Sequence, residues 1–521
     1  AEKHARTAQE LELKFELTER DLQQLRAHPF PPELTIGPAA TRVLRSIYFD
    51  TDDDRLRAAG ISLRVRRVSG KWIQTVKRGT RLKGGISNPL ESEAVVAGPQ
   101  PDLSVIHDPA MHQQINSTVG QAPLVPIFET SVRRTTQRLE SPGRGTIELA
   151  LDNGEILCPR GPQRIVEAEL ELISGAPGFL LDMGERLLAD IPLVLSQTSK
   201  AERGYRHARG IDPPLTPQKG EKPAVSAKYT IESAFEKISG AAVDKVLSNW
   251  RVVLESDDPE GPHQLRVGLR RLRSALRAFR PTIDGPSLRR IAADARDLAR
   301  RVGELRDADV MINDICQAAP VAETDDADRA MLLCHLDVHR NRIREEVRAE
   351  LQQSRWSTLQ IELALLTKAA RWREEGTGAK KLKKRVTKHG PIALNKAWRG
   401  ARKYGRRIDA LAIEERHAMR KALKTLRYSV EFFMPLYSGK ASEKFLKRLK
   451  ALQDIFGYLN DLAVAERLKA LCAEEGRAEQ GPSRRHAVDQ VLTWHASRAD
   501  EAWRDAQKRW KNLERTSPFW Q

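Results

Sequence analysis

The segment ELELK, residues 10–14, sets Glu10, Glu12 and Lys14 two apart. On a strand they share one face, with Leu11, Leu13 and Phe15 on the other. The alternation recurs in Arg64 with Arg66, Thr75 with Lys77, Glu91 with Glu93, Glu148 with Asp152, and Glu167, Glu169 and Glu171. Strands also segregate by sign, with acids at 10–12 and 167–171 and bases at 64–66. A sandwich with a polar outer face gives alternation but no reason for segregation. Charged faces turned into a closed sheet would instead put carboxylates and cations in one lumen. Carboxylate oxygens suit a hard divalent ion, Mg²⁺ keeping water and phosphate oxygens as further ligands. Arg holds phosphate bidentately and Lys as a point charge. Such a lumen is suited to a metal and phosphates, with its charges paired or hydrated when no ligand is bound.

A second constellation lies further on, in HQLRVGLRRLR at 263–273 and HAMRKALKTLR at 417–427. On a helix, His263, Arg266, Arg270, Arg273 and Arg277 fall within an arc of about 80°. Leu265, Leu269, Leu272, Leu276 and Phe279 lie opposite. An offset of 154 carries the charges to His417, Arg420, Lys424 and Arg427, beside Lys421, and the apolar set to Met419, Leu423, Leu426, Val430 and Phe433. It also takes GELRDADV at 303–310 onto GYLNDLAV at 457–464, so a whole helical unit is duplicated. Like charges on one face repel, and an anion lying along them relieves the repulsion. The run 380–407 adds twelve Lys or Arg and no acid. The implied ligand is a linear polyanion. Nucleic acid is disfavoured, because no helix-turn-helix, zinc-finger or RNA-recognition signature appears. Trp250, Trp356, Trp398, Trp494, Trp503 and Trp510 stand at helical apolar positions that suit core packing better than base stacking.

The elements that position these residues differ between the halves. From 10 to about 206, period-two runs (LELKFEL, RVLRSIYFD, ISLRVRRV, KWIQTVK, ESEAVVA, GTIELALD and RIVEAELELI) predict an antiparallel barrel or sandwich. Asn153-Gly154 reads as a strong hairpin turn and Ser69-Gly70 as a weaker one. Helices are expected at 18–27, opened by Thr18 and Asp21, and at 178–190. Residues 207–226, with four prolines and no apolar pattern, read as a linker, and beyond it the chain is all-α. At 521 residues two or three domains are expected, and Lys plus Arg at 88 against Asp plus Glu at 70, a net +18, favours an anionic partner. Four scattered cysteines without a CxxC pair indicate neither disulfides nor a thiolate zinc site, which fits a cytoplasmic protein. No run of 18 apolar residues predicts a membrane span.

Two family resemblances follow from these motifs. E-x-E-x-K at 10–14, YFDT at 48–51, G-x-x-L-R-x-R at 60–66, ESE at 91–93, D-N-G at 152–154, E-A-E-L-E at 167–171 and SKAERGY at 199–205 together resemble the CYTH domain, or triphosphate tunnel fold, over residues 8–206. The resemblance implies a multidomain protein opening with an antiparallel eight-stranded β tunnel (α+β) that acts on triphosphates with Mg²⁺ or Mn²⁺. Carried over, Glu10, Glu12, Asp152, Glu167 and Glu169 would hold the metal or orient water. Lys14, Arg64, Arg66, Lys77, Arg134 and Lys200 would bind triphosphate, and Glu10, Glu12, Lys14, Glu167 and Glu169 would carry the reaction. Pro89 stands where that family's acidic strand has an arginine.

The paired H-x2-R-x3-[RK]-x2-R helices and G-x-L-[RN]-D segments resemble the CHAD domain over 227–510. That likeness implies an all-α duplicated four-helix-bundle domain binding inorganic polyphosphate, through His263, Arg266, Arg270, Arg273, Arg277, His417, Arg420, Lys421, Lys424 and Arg427. Together they imply a cytoplasmic inorganic triphosphatase associated with polyphosphate granules. Nucleotide or thiamine triphosphatase, adenylate cyclase and a non-catalytic polyphosphate scaffold are the alternatives.

Overall fold

The computed structural model describes the chain except residues 1–7, 81, 83, 84, 192, 197, 212–214, 321–325, 376–378, 438 and 475–480, and the side chains of 8, 9, 379, 461–467, 470–474 and 481–484. Two compact units are present, Ala1–Leu215 with Leu351–Arg371, and Thr216–Glu350 with Trp372–Gln521.

The first unit is one curled antiparallel sheet. Eight strands form its staves: β2 (Glu12–Glu16), β4 (Ala40–Asp50), β5 (Ile61–Val68), β6 (Lys71–Arg78), β8 (Leu90–Val96), β9 (Val125–Ser141), β10 (Gly145–Cys158) and β11 (Gly161–Gly175). Four two-residue strands, β1 (Ala8–Gln9), β3 (Thr35–Ile36), β7 (Ile86–Ser87) and β12 (Val194–Leu195), supplement them. The order is β1-β8-β6-β5-β4-β9-β10-β11-β2-β12. Closure comes from one short stretch of chain, because β1 pairs with β8 at one edge while β2, three residues on, pairs with β11 at the other. The expected eight-stranded sheet is present, although one turn signal misled. Ser69 and Gly70, with φ of 48° and 83°, do turn the β5–β6 hairpin. Asn153 and Gly154 instead lie inside β10, paired on both sides. Gly154 is needed there because a Cβ would stand 2.1 Å from the Ser131 carbonyl oxygen, and glycine within a strand marks such close approaches.

Period-two alternation gives the sheet an apolar outer face. Leu11 and, from β2, Leu13 and Phe15 pack with Leu149, Leu170 and helices α1 (Glu19–Ala27) and α4 (Pro177–Asp190). Leu63, Val65 and Val76 pack under α2 (Arg55–Ala58) and α3 (Pro109–Val119). The expected Thr18 cap is made, its Oγ1 accepting from Asp21 N at 3.2 Å while Asp21 accepts from Thr18 N at 2.8 Å. Helix α5 (Lys200–Arg209), capped by Ser199, runs three residues into the stretch read as linker. The helix Ser354–Ala364 belongs to this unit too, putting Ile361 and Leu365, both 0% exposed, into the cluster behind β2.

The second unit is helical and duplicated. Helices α6 (Ile231–Glu255), α7 (Glu260–Phe279), α8 (Pro286–Val310) and α9 (Asp326–Leu351) are followed by α10 (the Ser354–Ala364 helix), α11 (Trp372–Glu375) and α12 (Ala379–Leu382). The chain then repeats the set as α13 (Val386–Gly405), α14 (Ile413–Phe433), α15 (Lys440–Glu474) and α16 (Gly481–Glu514). Shifted by 154, the starts 231, 260, 286 and 326 fall within one residue of 386, 413, 440 and 481. The predicted apolar stripes are buried in both copies, Leu265, Leu269, Leu272 and Phe279 in α7 and Met419, Leu423, Leu426, Val430 and Phe433 in α14. Trp250, Trp356, Trp398 and Trp510 are buried as core, and no described helix is long and apolar enough to cross a membrane.

Candidate active site in the tunnel and a basic helical face

The inner faces of the staves enclose a cavity of about 800 Å³, lined among others by Glu10, Glu12, Lys14, Arg64, Arg66, Lys77, Arg134, Asp152, Glu169 and Lys200. Ionisable side chains crowd its interior, with Leu44, Val132 and Ala201 among them. At one end Lys200, the first residue of α5, sets Nζ 2.8 Å from Asp152 Oδ2, 2.6 Å from Glu167 Oε2 and 2.8 Å from Glu169 Oε1. Arg134 holds Asp152 bidentately at 2.7 and 2.6 Å and reaches Glu169 Oε2 at 2.6 Å. Lys14 joins Glu12 at 3.0 Å to Glu169 at 2.5 Å. Further along, Lys77 bridges Glu10 at 2.6 Å and Glu91 at 2.8 Å.

These pairings decide protonation. Burial pushes the Glu169 carboxyl up, but Lys14, Lys200 and Arg134 outweigh it and hold the group well below its ordinary range. Asp152 and Glu12 are lowered in the same way, burial opposed by Lys200 and Arg134 in one case and by Lys14 in the other. Burial opposes the charge of Lys200 as well, yet its three carboxylates raise it well above the ordinary lysine value. Glu10 and Glu91 share a hydrogen bond as well as Lys77. Burial and that bond push Glu10 up to about 8, while the bond to Glu10, with Lys77 and Arg64, overcomes burial and takes Glu91 down to about 2. Burial thus favours the protonated form of Glu10, the two carboxyls titrating as a pair. Burial, then the neighbouring Glu12, raises Glu171 to about 7.

The cations at the other end are less fully paired. Arg64 lies 3.9 Å from Glu91, and its buried Nε has no hydrogen-bond partner. Arg66 donates to Ser46 Oγ at 2.9 Å, with no carboxylate partner among the described residues. Burial and then Arg64 lower its guanidinium to about 9. Crowded guanidinium groups with donors to spare suit an anion.

The carboxylate end fits a metal. Asp152, Glu167 and Glu169 are all buried and each offers one oxygen within 4.8 Å of the others. An all-carboxylate donor set suits a hard divalent cation. The tunnel thus brings together every predicted residue of this group: Glu10, Glu12, Lys14, Arg64, Arg66, Lys77, Arg134, Asp152, Glu169 and Lys200 line it, and Glu167 joins them through Lys200. Pro89 lines the cavity as well, and its carbonyl accepts from Glu10 N at 3.3 Å. Arg203, one turn along α5, was missed. Its Nη1 stands 2.7 Å from Glu167 Oε1 and leaves Oε2 to Lys200. Tyr48, Glu93 and Glu171 also line the tunnel, the last signalled by its period-two spacing from Glu169.

In the helical unit Arg266, Arg270, Arg273 and Arg277 project from α7, and Arg420, Lys421, Lys424 and Arg427 from α14. The stripes adjoin, since Arg277 Nη1 donates to Thr425 Oγ1 of α14 at 3.1 Å. Arg266 donates to Asp307 at 3.0 Å and Arg427 to Gln453 at 3.0 Å. The buried Nε of Arg270 has no partner. The second-copy counterpart of Asp307, Asp461, has its side chain outside the described residues. His263 is half-buried, and burial, then Arg306, pushes it down to about 4. His417 is exposed and lowered too, by what burial it has and by Lys421 and Arg420. Neither ring is cationic at neutral pH.

Residues 8–205 match the CYTH domain and residues 237–470 the CHAD domain. The chain is a CYTH domain followed by a CHAD domain. An inorganic triphosphatase of Haemophilus influenzae is 29% identical over 201 residues, 38% of this chain and 54% of that protein, so the match spans about half of the curated relative's length. A crystal structure of the CHAD domain from Ricinus communis is 25% identical and covers 58% of this chain and 97% of its own, with a TM-score of 0.49. A Hippeastrum protein, described as a candidate adenylyl cyclase with a dominant triphosphatase activity, is 20% identical and covers 39% of this chain and 98% of its own, with a TM-score of 0.29.

Proposed function

We propose that the tunnel hydrolyses inorganic triphosphate with Mg²⁺ or Mn²⁺ and that the helical unit binds polyphosphate. The carrying observation is that one cavity is lined by Asp152 and Glu169 of a buried three-carboxylate cluster and, further along, by Arg64 and Arg66. Arg64 and Arg66 would receive terminal phosphate oxygens, and Lys14, Lys77, Arg134 and Lys200 would neutralise the rest as they exchange carboxylate partners for phosphate. Asp152, Glu167 and Glu169, with Glu10 and Glu12, would hold a divalent ion, which supplies charge neutralisation and a more acidic water. Glu10, raised to about 8 by burial and its bond to Glu91, would have to release its proton to join that set. No covalent intermediate is needed.

The adjoining basic stripes of α7 and α14 would retain the enzyme on polyphosphate granules in the cytoplasm. The CHAD neighbour and the relative's name tilt the substrate towards inorganic triphosphate and away from a nucleotide. The test compares phosphate release from tripolyphosphate, ATP and thiamine triphosphate, with Mg²⁺ or Mn²⁺. Preference for tripolyphosphate is expected. Preference for ATP would move the assignment to a nucleotide triphosphatase, and silence on all three would leave a polyphosphate scaffold.

A further inference from the structure

We propose that Lys200 is the resident counter-ion of the carboxylate cage, that its ammonium and a divalent ion exclude one another there, and that metal entry therefore turns Lys200 towards the triphosphate. The inference rests on the metal-dependent reading of the tunnel and adds to it an order of charge exchange.

The geometry is one of matched numbers. An ammonium has three N–H donors. Nζ of Lys200 lies 2.6–2.8 Å from three carboxylates, hydrogen-bonded to Glu169 on β11 and ion-paired with Asp152 on β10 and Glu167 on β11. Those are the same three residues whose oxygens lie close enough together to chelate an ion. A hard divalent cation needs its oxygens at about 2.0–2.6 Å, so it would stand within the space that the ammonium fills. Two cations so close and so well shielded from water repel strongly.

The backbone of Lys200 is fixed, so the exchange is confined to its side chain. Ser199 caps α5 by accepting from Glu202 N at 3.2 Å, and Arg203 grips Glu167. Tyr205 packs edge-on to Phe128, which in turn stacks on Tyr48. Once turned out of the cage, the ammonium meets Lys14 of β2 and Arg134 of β9, already engaged with Glu12, Glu169 and Asp152. An anion entering the lumen is what would relieve that crowding. Metal and triphosphate binding then reinforce each other, and by linkage each strengthens the other by the same factor.

The test is calorimetric titration of Mn²⁺ into the full chain without triphosphate. Lys200→Met is expected to bind Mn²⁺ about ten-fold tighter than the parent, within the usual range of such couplings. Equal or weaker binding by the variant would overturn the proposal. Should the variant not fold, amine acetylation of the parent read by mass spectrometry replaces it. Saturating Mg²⁺ is expected to increase labelling of Lys200, and unchanged or reduced labelling overturns the idea. Phosphate release by the parent is scored separately. A chain that shows the Lys200 effect but cleaves no triphosphate refutes the enzymatic reading alone, and one that cleaves without the effect refutes this inference alone.

Discussion

Arg203 and His263 show what single side chains contribute in the two units. Arg203 orients Glu167 from α5, so Arg203→Ala should weaken Mn²⁺ binding by about 10–100-fold, the usual cost of losing an outer partner of a ligand, with Lys partly restoring it. A calorimetric affinity unchanged by the substitution would remove that role. His263 governs a pH effect. Its folded pKa of about 4 lies below the ordinary value near 6.5, so below that pH the unfolded chain takes up a proton that the fold refuses. Stability conferred by the neutral ring is present above about pH 6.5 and is lost as pH falls towards 4. Asp309, buried and raised to about 6, works in the opposite direction over part of this range, so the informative quantity is the difference between parent and His263→Gln. The gap between their melting temperatures should shift in favour of the variant as the pH is lowered, and a pH-independent gap would contradict the assignment. Glu10, Glu12, Glu167 and Glu169 were legible from period-two spacing. Arg203 was not, because a helix meets the sheet through tertiary packing that no local period records.

At the scale of elements, α5 is the piece on which the carboxylate end depends. A Cβ at Gly204 would stand 2.1 Å from the Phe128 ring, with no flexible side-chain end to give way. Gly204→Ala should therefore cost about 1–3 kcal/mol and displace Lys200 and Arg203 together, lowering both melting temperature and metal affinity. A variant as stable as the parent would mean that α5 packs differently. This helix and β9 were the elements least visible beforehand. β9, the longest strand, contains TSVRRTTQR at 130–138, where polar residues fill both faces and leave no apolar alternation to count. The Asn-Gly signal failed at 153–154 because pairing on both sides outweighed local turn chemistry. The capped helix α1 and the apolar stripes of α7 and α14 were readable because caps and helical periods are local.

Across the whole chain, duplication was legible as an offset of 154, but the place of residues 351–371 was not. That stretch lies deep in the helical half of the sequence, yet it completes the apolar layer behind β2, the strand carrying Glu12 and Lys14. Leu365→Ala should destabilise the sheet unit by about 2–5 kcal/mol, seen as earlier loss of tunnel activity on heating, and unchanged inactivation would show that the layer tolerates its loss. Reversing Arg266, Arg270, Arg420 and Lys424 to Glu should abolish retention on polyphosphate while leaving tripolyphosphate turnover largely intact. Retention that survives would move the binding surface elsewhere. The proposal that one lumen joins metal-holding acids to phosphate-holding cations is tested most directly by tripolyphosphate turnover in the parent and in Glu10→Ala with Glu12→Ala. The account predicts Mg²⁺- or Mn²⁺-dependent phosphate release by the parent, and a loss in the folded double variant exceeding the ~100-fold upper cost of removing an outer partner. Equal rates in the two proteins would contradict it.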